Sequence, residues 1–352
     1  MKKLFFSTLI AAFILNTFSA HAKIWRINNN AGVLADFSNF DFAANSPNVA
    51  AGDTLYFEPS ANAYTTGNFS LTKRLVIIGP GYFLDPTNTS TPGNAGLQVS
   101  TEESEITFFR IGAAASGSKF MGVTLAGAVY INNANNISFE KVRFPAGVYF
   151  ESGTNDSFSF RKCFFQNGAA ISNSGNAIVS KFVCENNIFY GASQVNLPGL
   201  TGSGNILRNN SMLNTYGFIL TNTYVANNIF GIGGECNFTN CTIKNNLFQV
   251  NQTLPGTATG NQVNVNMANV YIGGTTGSFD SRMRLKAGSP AIAAGLTIGA
   301  VVTPDCGAYG ATDPYKLSGI PNIPSIYTLT APISIPSGTA TMNVTFSSRN
   351  NN

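Results

Sequence analysis

The chain has 352 residues, 44% of them hydrophobic and 12% aromatic, and its 20 Lys+Arg against 16 Asp+Glu give a formal net charge of +4. Only 10% of residues are charged, which excludes a nucleic-acid partner, since such a partner needs a basic stripe along one face. The 35 Gly and many Asn fit a long, thin all-β core with polar turns.

Met1 to Ala22 reads as a secretory signal peptide. Lys2 and Lys3 supply the positive end, Leu4 to Phe18 the apolar run, and Ala20-His21-Ala22 the small-residue cleavage pattern. The run is too short for a membrane span, and no Cys follows it to carry a lipid. The mature chain is expected from Lys23, exported in the bacterial manner to the periplasm, cell surface or medium. Losing Lys2 and Lys3 leaves 18 basic against 16 acidic residues, a net +2, and His21 is the only His. A mature chain without imidazole excludes Ser-His-Asp hydrolysis, Cys-His chemistry and His-based zinc sites.

Residues 31–44 place Val33, Leu34, Phe37, Phe40 and Ala44 at spacings that predict one short amphipathic helix. It would plug the open end of a first coil, whose bare strand edge invites aggregation. Leu75 to Ile78, followed by Gly79-Pro80-Gly81, reads as a buried strand and turn. Residues 85–105, rich in Pro, Thr, Asn and Gly, read as a long loop containing the acidic run Glu102-Glu103-Ser104-Glu105.

From Ile137 to Phe248 one phrase repeats. Its last apolar residue is Phe144, Phe165, Phe189, Met212, Phe230 and Phe248, at intervals of 21, 24, 23, 18 and 18 residues. An apolar register kept through loops of varying length predicts a solenoid. Five residues before this column lies Phe139, Phe160, Cys184, Leu207, Val225, Ile243, and two further back Ile137, Phe158, Phe182, Asn205, Thr223, Cys241. Period-two alternation says strand, and like stacking on like says parallel coils about 4.8 Å apart. Two residues before the final column stand Asn187, Asn210, Asn228 and Asn246. Such Asn residues are expected to form an internal ladder, each amide bonding the next, with the αL backbone that a tight bend needs; lining a ligand groove is the competing reading. The five Cys of the mature chain are odd in number, so at least one is unpaired. Cys163, Cys184 and Cys241 fall on inward columns, which favours buried thiols, with Cys163–Cys184 the bridge to expect if there is one.

Coils with an Asn ladder at the second turn resemble the right-handed parallel β-helix proteins of the pectate-lyase-like superfamily. The resemblance covers roughly residues 50–312. It implies an all-β right-handed parallel β-helix over 23–312 with a short N-terminal capping helix. Residues 313–352 would form an extended, Pro-rich tail with short strands at Ser325–Leu329 and Thr341–Phe346, lying along the coil or docking on a partner. Ala51 to Pro59 looks like the superfamily's opening turn and strand. Arg284 to Ile292 and Asp305 to Gly310 resemble its last-coil motif, with Ala293 where an acid is common.

In enzymes of this superfamily the substrate lies along the first strand of each coil. The resemblance therefore implies that outward residues there are the candidate site: Arg110; Tyr130 and Asn132; Tyr149 and Glu151; Ala170 and Ser172; Gln194 and Asn196; Phe218 and Leu220; Glu235 and Asn237. Glu151 and Glu235 are four coils apart, roughly 19 Å, too far to share one glycosidic bond as paired carboxylates must, and no Asp lies on this face. The second-strand face carries Glu140, Lys141, Arg143, Arg161, Lys162, Lys181 and Arg208, a modest basic patch that keeps an exposed sheet from pairing.

The leading expectation is a noncatalytic exported protein that binds a polysaccharide or an envelope protein along its long face through Tyr130, Asn132, Tyr149, Glu151, Asn196 and Phe218, with no cofactor. The alternative is a polysaccharide lyase acting on uronates through Arg110, Tyr130, Tyr149 and Glu151, with calcium as the neutralising cation. A stacked tyrosine pair that only stabilises its sheet is the plainer account of Tyr130 and Tyr149.

Overall fold

A computed structural model describes residues 22–64, 67, 69–94, 102–107, 109–168, 170–173, 176–319 and 325–349. The signal-peptide prediction falls on residues 1–21, outside the described residues.

The chain forms a parallel β-solenoid of eight coils. Each coil contributes a strand to sheet B, then to sheet A, then to sheet C. Sheet A has eleven strands, its main path running from Ile24–Ile27 to Thr242–Lys244; sheets B and C have eight each, from Phe69–Leu71 to Asn237–Thr239 and from Glu105–Ile106 to Leu247–Phe248. The repeat columns stack in register: Phe139, Phe160, Cys184, Leu207, Val225 and Ile243 on sheet A, and Phe144, Phe165, Phe189, Met212, Phe230 and Phe248 on sheet C. All are fully buried. Their rings stack nearly parallel, with centroids 4.7 Å apart for Phe144–Phe165 and 4.5 Å for Phe165–Phe189.

The Asn ladder is present, and it is longer than the sequence columns showed. The backbone N–H and side-chain Nδ2 of Asn187 both donate to Oδ1 of Asn210; Asn210 does the same to Asn228, Asn228 to Asn246, and Asn246 to Asn261. Its members from Asn187 to Asn246 are buried, so they line no groove. The left-handed backbone belongs to the residue just before each rung, at Asn186, Asn209, Asn227 and Asn245, with φ from 51° to 56°. That corrects the expectation of αL rungs. A rung facing inward needs its own strand geometry, so the bend falls one residue earlier.

The helix is shorter and later than its spacing predicts, at Phe40–Asn45. The following Ser46-Pro47 ends it. Phe40 sets its ring edge against Phe57, Phe69 and Phe109 and so closes the first coil. Leu34 is 90% exposed, because residues 36–37 instead run extended and hydrogen-bond the edge strand at Arg26 and Asn28.

After the last coil the chain doubles back. Residues 267–317 and the loop around Tyr82 and Phe83 bury the outer column of sheet C, namely Phe164, Ile188, Ile229 and Leu247. The outer Asn of three of the four doublets clamps this strap: Asn186 donates to the carbonyls of Ala308 and Gly310, Asn227 to Leu296, and Asn245 to Ala294. The stretch resembling a last coil is therefore a strap along the solenoid's flank, and Tyr315 and Leu317, assigned to the tail, are buried with it. Ser325–Thr330 and Thr345–Arg349 form an antiparallel pair. All five Cys are free and buried, so the Cys163–Cys184 bridge is not formed. Among the described residues no helix is long and apolar enough to cross a membrane.

Candidate functional site

Three outer faces follow from this arrangement, and they differ in what they present. Sheet C lies under the strap. On sheet A most of the basic patch is engaged in ion pairs: Glu185 holds both Arg161 and Arg208, Lys181 holds Asp156, and the buried Lys162 holds Asp313, while Arg161 and Lys181 stay half or more exposed. Arg143 is not on that face at all. It lies on sheet C, buried, with Nη1 2.8 Å from Glu103. Sheet B, like sheet A, has no residue in the apolar cluster under the strap.

Its outward column runs Ser70, Arg110, Tyr130, Tyr149, Ser172, Asn196, Ile219, Asn237. The Tyr130 and Tyr149 rings stack at 5.4 Å and 25°, and the Arg110 guanidinium lies 5.0 Å from the centre of the Tyr130 ring. Tyr149 folds back over Gly147, where an added Cβ would meet the ring's hydroxyl end at 2.6 Å. Between Phe150 and Ser152 the register with the neighbouring strand slips, and Glu151 is the extra residue. Such a bulge re-aims a side chain. Here Oε2 of Glu151 accepts from Nδ2 of Asn132 at 2.9 Å and lies 3.4 Å from Nε of Arg110. The Ser152 hydroxyl donates to Oδ1 of Asn132 at 2.9 Å. The result is one half-buried cluster spanning three coils.

The structure thus brings together Arg110, Tyr130, Asn132, Tyr149 and Glu151. Asn196 faces the same way two coils beyond Tyr149. Phe218 does not belong to the site. It is fully buried, with its ring edge-on to Phe189 and Phe230 at 5.5 and 5.6 Å. Leu220 is buried too, and Ile219 takes the outward position. A run of Phe-Ile-Leu offers two registers one residue apart, and the slip reverses every side chain; here the larger pair goes inside. Gly147 and Ser152 escaped the sequence reading. A Gly two residues before an outward Tyr was the available signal for the first, while the bulge that recruits Ser152 left none.

The acidic run is not a solvated loop. Glu103 accepts from the Phe83 N–H, the Thr124 hydroxyl and Arg143, tying the 82–103 loop to sheet C. Beside it a cavity of about 140 Å³ is lined by Asp85, Glu102, Glu103, Glu105 and Arg143, among others. Burial, then the Glu103 charge, raises the Glu105 carboxyl above its ordinary value. Among the described residues no three His, Cys, Asp or Glu are grouped to hold a metal.

No protein-family model matches this chain, and no curated protein is significantly similar to it.

Proposed function

We propose that this is an exported, noncatalytic β-solenoid of the bacterial pectate-lyase-like type that binds a glycan along sheet B. The observation that carries the reading is the Tyr130–Tyr149 stack fastened to the Arg110–Glu151–Asn132–Ser152 network, on a solenoid face outside the strap. Amide and hydroxyl groups held in fixed directions suit sugar hydroxyls, and ring edges beside them supply apolar contact. The second carboxylate that glycosidic hydrolysis requires is missing from the cluster. Binding of the full chain to a panel of immobilised polysaccharides tests this. Retention on at least one, lost in Tyr130→Ala/Tyr149→Ala, is the expected result; no retention on any would end the reading.

The lyase reading keeps one observation in its favour. Arg110 faces outward beside Tyr130, where a base for proton abstraction would stand. Ultraviolet absorbance during incubation with acidic polysaccharides, with and without calcium, separates the two. A rise from unsaturated uronates would make the protein a lyase; a flat trace is expected.

A further inference from the structure

The charges on sheet B also bear on which class of glycan it takes, an inference that rests on the glycan-binding reading. Among the described outward positions of the strands of sheet B, the charged residues are Arg110 and Glu151. They are already engaged with each other, Nε to Oε2, at 3.4 Å. The pairing is not adjacent-strand coincidence. Arg110 and Glu151 sit on strands separated by the strand of Tyr130, and the register slip at Glu151 accompanies a carboxylate that reaches back across that strand. Asn132 fixes the same oxygen at 2.9 Å. The next charge along this side is the exposed Glu235, just ahead of the last strand.

We propose that sheet B is selective for neutral glycans, chains of uncharged hexoses, over uronate-containing ones. A uronate carboxylate arriving at Arg110 would have to displace Glu151 or crowd against it. It would gain one shared cation while facing a second carboxylate of like sign, an arrangement that disfavours the charged ligand. A chain that extended to the far end would meet Glu235, a further negative charge. Uncharged hydroxyls meet no such conflict. The remaining polar groups along the face, Asn132, Ser152, Ser172, Gln194 and Asn196, each both donate and accept, which matches the dual character of a sugar hydroxyl. Glu151 in this account acts as a selectivity element: it neutralises the single cation that would otherwise recruit acidic polysaccharide.

The test is equilibrium binding of the full chain to labelled cellohexaose, mannohexaose, maltohexaose and hexagalacturonate at low and high salt. At least one neutral hexamer should bind more tightly than hexagalacturonate by about fivefold or more, the reach of a half-exposed ion pair, with little change on adding salt. In Glu151→Gln, which keeps shape and removes the charge, the ratio of hexagalacturonate to neutral affinity should rise about fivefold and become salt-sensitive. Tighter binding of hexagalacturonate by the unaltered protein would overturn the neutral preference while leaving glycan binding in place. An unchanged ratio in Glu151→Gln would overturn the role given to that carboxylate. Binding of no hexamer, with no retention on any polysaccharide, would remove both this inference and the reading beneath it.

Discussion

Asn228 accepts from both the backbone N–H and the Nδ2 of Asn210 and donates to Leu207 O and to Asn246 Oδ1, all within 2.9 Å. Asn228→Ala would leave several buried groups unpaired at about 1–3 kcal/mol each. Chemical denaturation should show a loss on the order of 3 kcal/mol. The same change at the partly exposed end rung Asn261 should cost about 1 kcal/mol, because water can replace what is lost. Equal losses at the two sites would mean that the ladder is not what orders the corner. On sheet B, Gly147→Ala should push the Tyr149 ring off its seat and weaken glycan retention while the melting temperature moves little. The rungs were legible in the sequence because one residue type recurs at one column. The preceding Asn residues were not, because their work lies in contacts with a strap some 50 to 120 residues away. Asn209 in that series is buried with neither side-chain atom paired, and nothing in the structure explains it.

Strands and strap differ in how they are held. A strand carries its inward column on its own alternation, so the coil strands could be placed from apolar spacing alone. Phe218-Ile219-Leu220 failed because three successive apolar residues carry no alternation to read. The strap was illegible for another reason: its anchors pair residues far apart in sequence. The Tyr82 and Tyr315 hydroxyls meet at 2.6 Å, and the Tyr315 hydroxyl lies 3.1 Å from Oδ2 of Asp280. Asp280 is fully buried, and burial raises its carboxyl above the ordinary value of 3.8. A carboxyl raised on folding adds stability below its unfolded value, and that contribution fades as pH climbs through the folded value. Asp280→Asn removes the titration and keeps an acceptor for the Ser281 N–H. Its stability relative to the parent should therefore improve as pH rises above about 4, as read by thermal melts. A difference independent of pH would mean that Asp280 is not the titrating group.

The solenoid's stacked core is flanked on sheet C by the strap, and its thiols report on its integrity. Burial pushes Cys163, Cys236 and Cys306 up to about 12 and raises Cys184 and Cys241 as well. The thiolate is the reactive form, so a thiol reagent should label none of the five in the folded protein and all five in denaturant. Fast labelling of the native state would show that the coils open. At this scale the solenoid was legible from residue 137 onward, where one phrase recurs six times; the earlier coils carry no such column, because a long loop separates Val76–Ile78 from Glu105–Ile106. The division of its faces was not, because it depends on the strap covering sheet C and on ion pairs engaging the basic residues of sheet A. Glycan binding on sheet B is the central claim. The most direct measurement is a set of binding isotherms for neutral oligosaccharides against three proteins: the full chain, Tyr130→Ala/Tyr149→Ala on sheet B, and Arg161→Ala/Lys181→Ala on sheet A. Loss of binding in the sheet B variant alone is the result expected. Loss in the sheet A variant, with sheet B changes silent, would contradict the account.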